Sequence, residues 1–231
     1  MMDYLKGLND EQLKAVRHTE GFLRVIAGAG SGKTKMLVAR YAYLVHAVGI
    51  DPASILCVTF TNKAAAEMRS WVRKLIGEGY DTSLISTYHG FCVRLLREDI
   101  EKIFYPSTFQ IIDTTDQKAI LKEIYEELEY KLDFATFEKI LKVISTYKNT
   151  HPYVVRMITR DDDMQVDDLP MPEAEIVSRY LRKQKQVFCM DFDDLILFAL
   201  HLLRTNAEVR DKWQQRLKLH PGRRVPGQFK A

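Results

Sequence analysis

The chain has 231 residues, 46% hydrophobic and 28% charged, with 11 Gly, 7 Pro and 10% aromatic residues. These fractions exclude collagen-like, low-complexity and wholly disordered proteins, and the length holds one large or two small domains with a core in each. The net charge of +3 is uneven: residues 217–231 carry Lys218, Arg223, Arg224 and Lys230 and no acid, so the remaining body carries −1 and offers no global case for nucleic acid binding.

No apolar run approaches the roughly 20 residues of a membrane span. The longest, 195–203, is interrupted by His201. The N-terminus MMDYLKGLNDEQ has no continuous apolar segment of the signal-peptide kind, so a cytoplasmic protein with no membrane partner is expected. Cys57, Cys92 and Cys189 stand far apart without metal or redox spacing and read as buried free thiols.

Asn9 is placed to cap a helix in which Gln12 holds the capping-box position. Residues 22–27 form a short apolar run, predicted as a strand, that ends in the turn GAGSG. A helix follows from Lys33 through Leu37, Tyr41 and Leu44, spaced by three and four. Residues 55–60 read as a second strand, Asn62 as the cap of the next helix, 83–86 as a third short strand and 89–100 as a helix. Strands alternating with helices predict a parallel α/β sheet. Helical periodicity dominates from about residue 114 to 213, with clear helices over 116–128, 134–147, 173–188 and 192–203. The acidic stretch 161–173 contains two prolines and no fixed ligand spacing, and reads as a solvated loop rather than a metal site.

The sequence AGAGSGKT at 27–34 fits the phosphate-binding loop, with Ala27 in place of the usual first glycine. Its setting between a predicted strand and a predicted helix is the one this loop requires. Small residues let backbone N–H groups curl around a polyphosphate at the positive end of a helix. Ala27, Gly28, Ala29, Gly30, Ser31, Gly32, Lys33, Thr34 and Lys35 are therefore candidate nucleotide-binding residues. Lys33 would meet the β and γ phosphates, and Thr34 would offer its hydroxyl to Mg²⁺. Upstream, the Gln12 amide could read the donor and acceptor on an adenine edge, or simply cap its helix. VTFTNKAAAEM at 58–68 and STYHGF at 86–91 each combine an aromatic ring with hydroxyl and basic groups at a strand end. Such groups stack on bases and hold phosphates, and each cluster alone could equally be a polar turn.

Together and in this order, the segments from Leu8 through MDFDDL at 190–195 and on to Arg216 resemble the UvrD/Rep/PcrA-like superfamily-one DNA helicases. The resemblance implies that Gln12 selects adenine, that Lys33 and Thr34 serve ATP and Mg²⁺, and that Phe60, Thr61, Asn62, Lys63, Thr87 and His89 contact single-stranded DNA. It also implies a P-loop, RecA-like parallel sheet, here incomplete, carrying an inserted all-helical subdomain. The expected division is a motor-domain part over 1–110, the helical insertion over 111–190, a return over 191–216 and a tail over 217–231. Asp191, Asp193 and Asp194 then read as a helix start, capping and packing rather than binding metal. The implied activity is ATP-driven 3′ to 5′ translocation and unwinding at duplex–single-strand junctions, in repair or replication, and it needs a second RecA-like domain. A helicase-nuclease start and a non-catalytic ATP- and DNA-binding fragment are the alternatives. A small-molecule kinase would explain neither Gln12 nor 60–63.

The resemblance breaks after KWQQR. There it implies a hydrophobic strand ending in an Asp-Glu pair, of the form YILVDEYQD, which would order magnesium and activate water. Residues 219–231 instead read LHPGRRVPGQFKA, with no carboxylate and two prolines, and are not expected to form a central strand. Synonymous codons exist for 219–227 that, read one base later, spell YILVDEYQD. The tail is therefore expected to be out of frame and the chain a truncated helicase that does not turn over, with a genuine basic terminus as the competing reading.

Overall fold

The computed structural model describes residues 3–131, 133–150, 152–159, 164, 166, 168–217 and 229–230. The chain divides into two compact units, residues 1–91 with 211–231, and residues 92–210.

The first unit is built around α2 (Lys33–His46), which follows α1 (Asp10–Arg17). Met36, Val38, Ala39, Tyr41, Ala42, Leu44 and Val45 of α2 are all buried, so apolar surface surrounds most of this helix. Beside it lies α3 (Asn62–Ile76), whose buried residues Ala65, Met68, Val72 and Ile76 repeat at three and four and define one core-facing stripe. Strand β1 (Cys57–Thr59) pairs in parallel with β2 (Ile85–Thr87), with Thr59 opposite Thr87, and α4 (Tyr88–Asp99) begins directly after β2. Ile50, Ile55, Cys57 and Ile85 close the core against α2 and α3.

The capping box foreseen at Asn9 is formed: Asn9 accepts from Gln12 N at 2.9 Å, and Gln12 Oε1 accepts from Asn9 N at 3.0 Å. Two expectations are corrected. Asn62 is not the cap of α3; the preceding Thr61 is, its hydroxyl accepting from Ala64 N at 3.1 Å. Residues 22–27 form no strand, and Phe22 is 96% and Ile26 85% exposed. A strand exists only through a ladder partner, and among the described residues none pairs with this run. Tail residues Phe229–Lys230 pair in parallel with β1 as the two-residue strand β5, at the edge of the order β2-β1-β5, so the expectation that the tail forms no central strand is not contradicted. The pairing begins beyond Pro226, which removes no donor from it. Lys218, Arg223 and Arg224 lie outside the described residues.

The second unit contains α5 (Thr114–Glu127), α6 (Phe134–Thr150), α7 (Tyr153–Ile158), α8 (Glu173–Gln186) and α9 (Phe192–Thr205). It is not all-helical. Strands β3 (Gln110–Ile111) and β4 (Cys189–Met190) pair in parallel, with Gln110 N donating to Phe188 O and Ile112 N to Met190 O, both at 2.9 Å. Helix α10 (Ala207–Arg216) spans the border between the units. Of the acidic stretch 161–173, residues 161–163, 165 and 167 lie outside the description.

At the centre of the second unit the fully buried Lys148 ammonium lies 2.7 Å from Asp191 Oδ2 and 2.8 Å from Asp194 Oδ1. Gln117 and Gln184 each donate a side-chain amide to one of these carboxylates at 2.9 Å. Asp191 caps α9 in a capping box with Asp194, as the reading of MDFDDL anticipates. Burial works to raise Asp191, but Lys148 outweighs it and holds this carboxyl below its ordinary value. Burial dominates at Asp194 and pushes it up to about 6. All three cysteines are free, Cys57 and Cys189 fully buried. Among the described residues no helix is long and apolar enough to cross a membrane, and no group of three or more His, Cys, Asp or Glu is placed to hold a metal.

Candidate functional site

The glycine-rich loop is shaped by two residues in the left-handed region, Gly30 at φ +75° and Gly32 at φ +79°. Side chains rarely adopt that backbone, and a Cβ on Gly32 would lie 2.9 Å from Gln12 Nε2. Gly32 is the N-cap of α2 and brings no capping side chain. The first N–H groups of α2 therefore point from the helix without an intrahelical acceptor, at its positive end. Ser31 folds the loop back on itself, its hydroxyl donating to Gly28 O at 2.7 Å. Lys33 reaches over the same turn and donates to Gly28 O at 2.7 Å and Ala27 O at 3.1 Å. Its charge thus sits within the curl of the loop, where a polyphosphate would replace two carbonyls as its partner. Thr34 and Lys35 are exposed in the first turn of α2, and Lys35 donates to Gly7 O at 2.8 Å.

Gln12 is held against this loop rather than standing free. Its Nε2 donates to Ser31 O at 2.9 Å while its Oε1 completes the capping box. It can read a base edge only by exchanging one of these bonds. Beside the loop, residues 30–35 form one wall of a cavity of about 650 Å³, a volume suited to a small-molecule ligand. Tyr4, Lys6, Trp71 and Lys74 line its other sides. None of these four was singled out by motif. Only the large aromatic at position 71, off the core stripe of α3, signals them.

The two other clusters meet at the carboxyl ends of β1 and β2. Because Thr59 is opposite Thr87, the residues that follow, Phe60 and Tyr88, leave adjacent parallel strands side by side, their ring centroids 6.2 Å apart. Phe60 is 73% exposed. Thr61, Asn62 and Lys63 are exposed around the start of α3. Thr87 is half-buried, its hydroxyl accepting from Gly90 N at 3.0 Å, and His89 is half-buried in the first turn of α4. The arrangement gathers an exposed ring, hydroxyls, an amide and a lysine at one sheet edge, where ligands collect in open α/β sheets.

Comparison with known proteins matches residues 8–219 to the UvrD/REP helicase N-terminal domain. The chain is 37% identical over 218 residues to the ATP-dependent DNA helicase PcrA of Staphylococcus aureus, and 36% identical over 219 residues to that of Staphylococcus epidermidis. Each alignment covers 93% of this chain and 29% of the relative, so the chain spans under a third of the length of these proteins. With most of its length matched, the chain belongs to the UvrD/REP helicase N-terminal domain family.

Proposed function

We propose that this chain is the nucleotide- and single-strand-binding portion of an ATP-dependent DNA helicase that moves 3′ to 5′ and opens duplex junctions in repair or replication. The observation that carries the reading is the loop at 27–34. Two left-handed glycines, a lysine drawn into the curl and uncapped helix N–H groups fit a nucleoside triphosphate. In this reading Lys33 exchanges its bonds to the Ala27 and Gly28 carbonyls for the β and γ phosphates, and Ala27 to Lys35 enclose them. The Thr34 hydroxyl fits Mg²⁺, which when bound neutralises phosphate charge. Gln12 selects adenine by giving up a bond to Ser31 or Asn9. Phe60, Thr61, Asn62, Lys63, Thr87 and His89 hold single-stranded DNA at the sheet edge. The first unit is then the RecA-like motor part, and the helical segment an insertion into it.

Titration with a fluorescent ATP analogue and Mg²⁺ tests this. Lys33→Ala is expected to weaken binding by about 1.5–3 kcal/mol, the range for a hydrogen bond to a charged group. Equal affinity in both proteins would remove the phosphate-loop assignment. A second reading, a binding fragment without turnover, is favoured by one observation: residues 219–231 contain no Asp or Glu.

A further inference from the structure

The hydrogen bonds around Lys148 leave part of the polar core of the second unit unsatisfied. Among the described residues, the hydroxyls of Tyr105 and Tyr153 and Oε1 of Gln184 are buried without a hydrogen-bond partner of normal geometry. The three residues are 2%, 1% and 0% exposed, so none of these oxygens reaches bulk solvent. They gather around one carboxylate. Gln184 Nε2 donates to Asp194 Oδ2 at 2.9 Å, which places the other end of the amide beside it. The Tyr105 and Tyr153 rings both pack on Phe198, with centroids 4.9 Å and 6.3 Å from it. Burial first, and the Asp194 charge second, hold both phenols in their protonated form.

Two phenols can therefore donate, while Gln184 Oε1 and the Asp194 carboxylate can accept. A buried polar atom left unsatisfied costs stability, and two donors beside two acceptors match the hydrogen bonds of one water molecule. A metal cation fits less well, because it would meet the phenol protons and the Lys148 ammonium 2.8 Å from Asp194 Oδ1. We propose that the second unit holds one internal water molecule, which accepts from Tyr105 and Tyr153 and donates to Gln184 Oε1 and Asp194. Through it Tyr105, ahead of β3, joins α7, α8 and α9 in a single network with Lys148.

Tyr→Phe tests this, since it removes the hydroxyl and keeps the ring. If the hydroxyls have no partner, Tyr105→Phe and Tyr153→Phe leave the folding equilibrium of the 231-residue chain unchanged or raise it. With the water in place, each should lower it about five- to tenfold in urea unfolding, and the double variant should lose less than the product of the two, because both act on one molecule. Exchanging sodium for choline at constant ionic strength should change nothing. A crystal structure decides independently of any variant: a density peak should stand about 2.5–3.0 Å from both phenol oxygens and Gln184 Oε1. Unchanged or higher stability in both phenylalanine variants would overturn the proposal, as would a crystal structure without the peak. Stability that depends on sodium in the wild type and not in the variants would assign the site to a cation and overturn it as well.

Discussion

Phe60 leaves 73% of its surface in water one residue beyond β1, which is a poor place for a ring whose purpose is packing. Its neighbour Tyr88 is close enough to steady the ring but covers only one side of it. Phe60→Ala should therefore change stability by less than about 0.5 kcal/mol, as for an exposed side chain. If a base stacks there, the same change should weaken single-stranded DNA binding by about 1–3 kcal/mol. Fluorescence anisotropy with a labelled oligothymidylate, beside a urea melt, separates the two quantities. A large stability loss with unchanged DNA affinity would return Phe60 to the core. Gln12 differs in kind, because both ends of its amide are already bonded within the protein. Any reading of adenine by it must outweigh the bonds it releases.

At the scale of elements, the helices were legible because each needs only its own sequence. The three-and-four spacing of Ala65, Met68 and Val72 marks α3, and Asn9 followed by Gln12 marks the start of α1. Where local signals compete the reading slips: Thr61 and Asn62 are both good caps, and the backbone of Thr61 is the one that is extended, at φ −125° and ψ 149°. Helix α10, largely charged, carries little apolar pattern to be read. Strands are harder, since residues 22–27 have the right composition but no partner strand among the described residues. The glycine-rich turn before α2 was legible from spacing alone, whereas Trp71 and Tyr4 belong to the same cavity only through the fold.

The Lys148 cluster was half visible. MDFDDL announced a capped helix start, but nothing in the sequence tied it to a lysine more than forty residues earlier. That lysine joins α6 to α9, while Gln117 and Gln184 bring in α5 and α8. Lys148→Met would leave two buried carboxylates without their cation, a change expected to cost about 3–5 kcal/mol near neutral pH. The pH dependence follows from the carboxylates. Asp194 already sits at about 6 in the folded protein against 3.8 ordinarily, so between those values the folded state binds the proton more tightly and this group's stabilisation falls as pH rises. Asp191, held low by Lys148 against the effect of burial, works in the opposite sense. Without the lysine both carboxylates shift upward and the compensation disappears. The variant's deficit should then be smaller at pH 5 than at pH 8 in urea unfolding. A deficit independent of pH would mean that packing, not charge, is what Lys148 provides.

For the whole molecule the decisive question is turnover. In the proposed reading Lys33 and Thr34 hold Mg-ATP, but hydrolysis also needs a carboxylate to orient water and a cation at the transferred phosphoryl group. The family resemblance puts that carboxylate pair after KWQQR, and residues 219–231 offer none. Such a cation alone is worth about 10³ to 10⁵ in rate in P-loop enzymes. The 231-residue chain should therefore bind nucleotide and release no phosphate in response to single-stranded DNA. The codons of 219–227 decide why. If the gene reads YILVDEYQD one base later, protein made from the shifted frame should recover DNA-dependent hydrolysis, and Lys33→Ala should abolish it. A single incompatible codon among those nine would make the basic tail genuine. Robust DNA-stimulated phosphate release from the present chain, lost in Lys33→Ala, would place the catalytic carboxylate elsewhere among its residues.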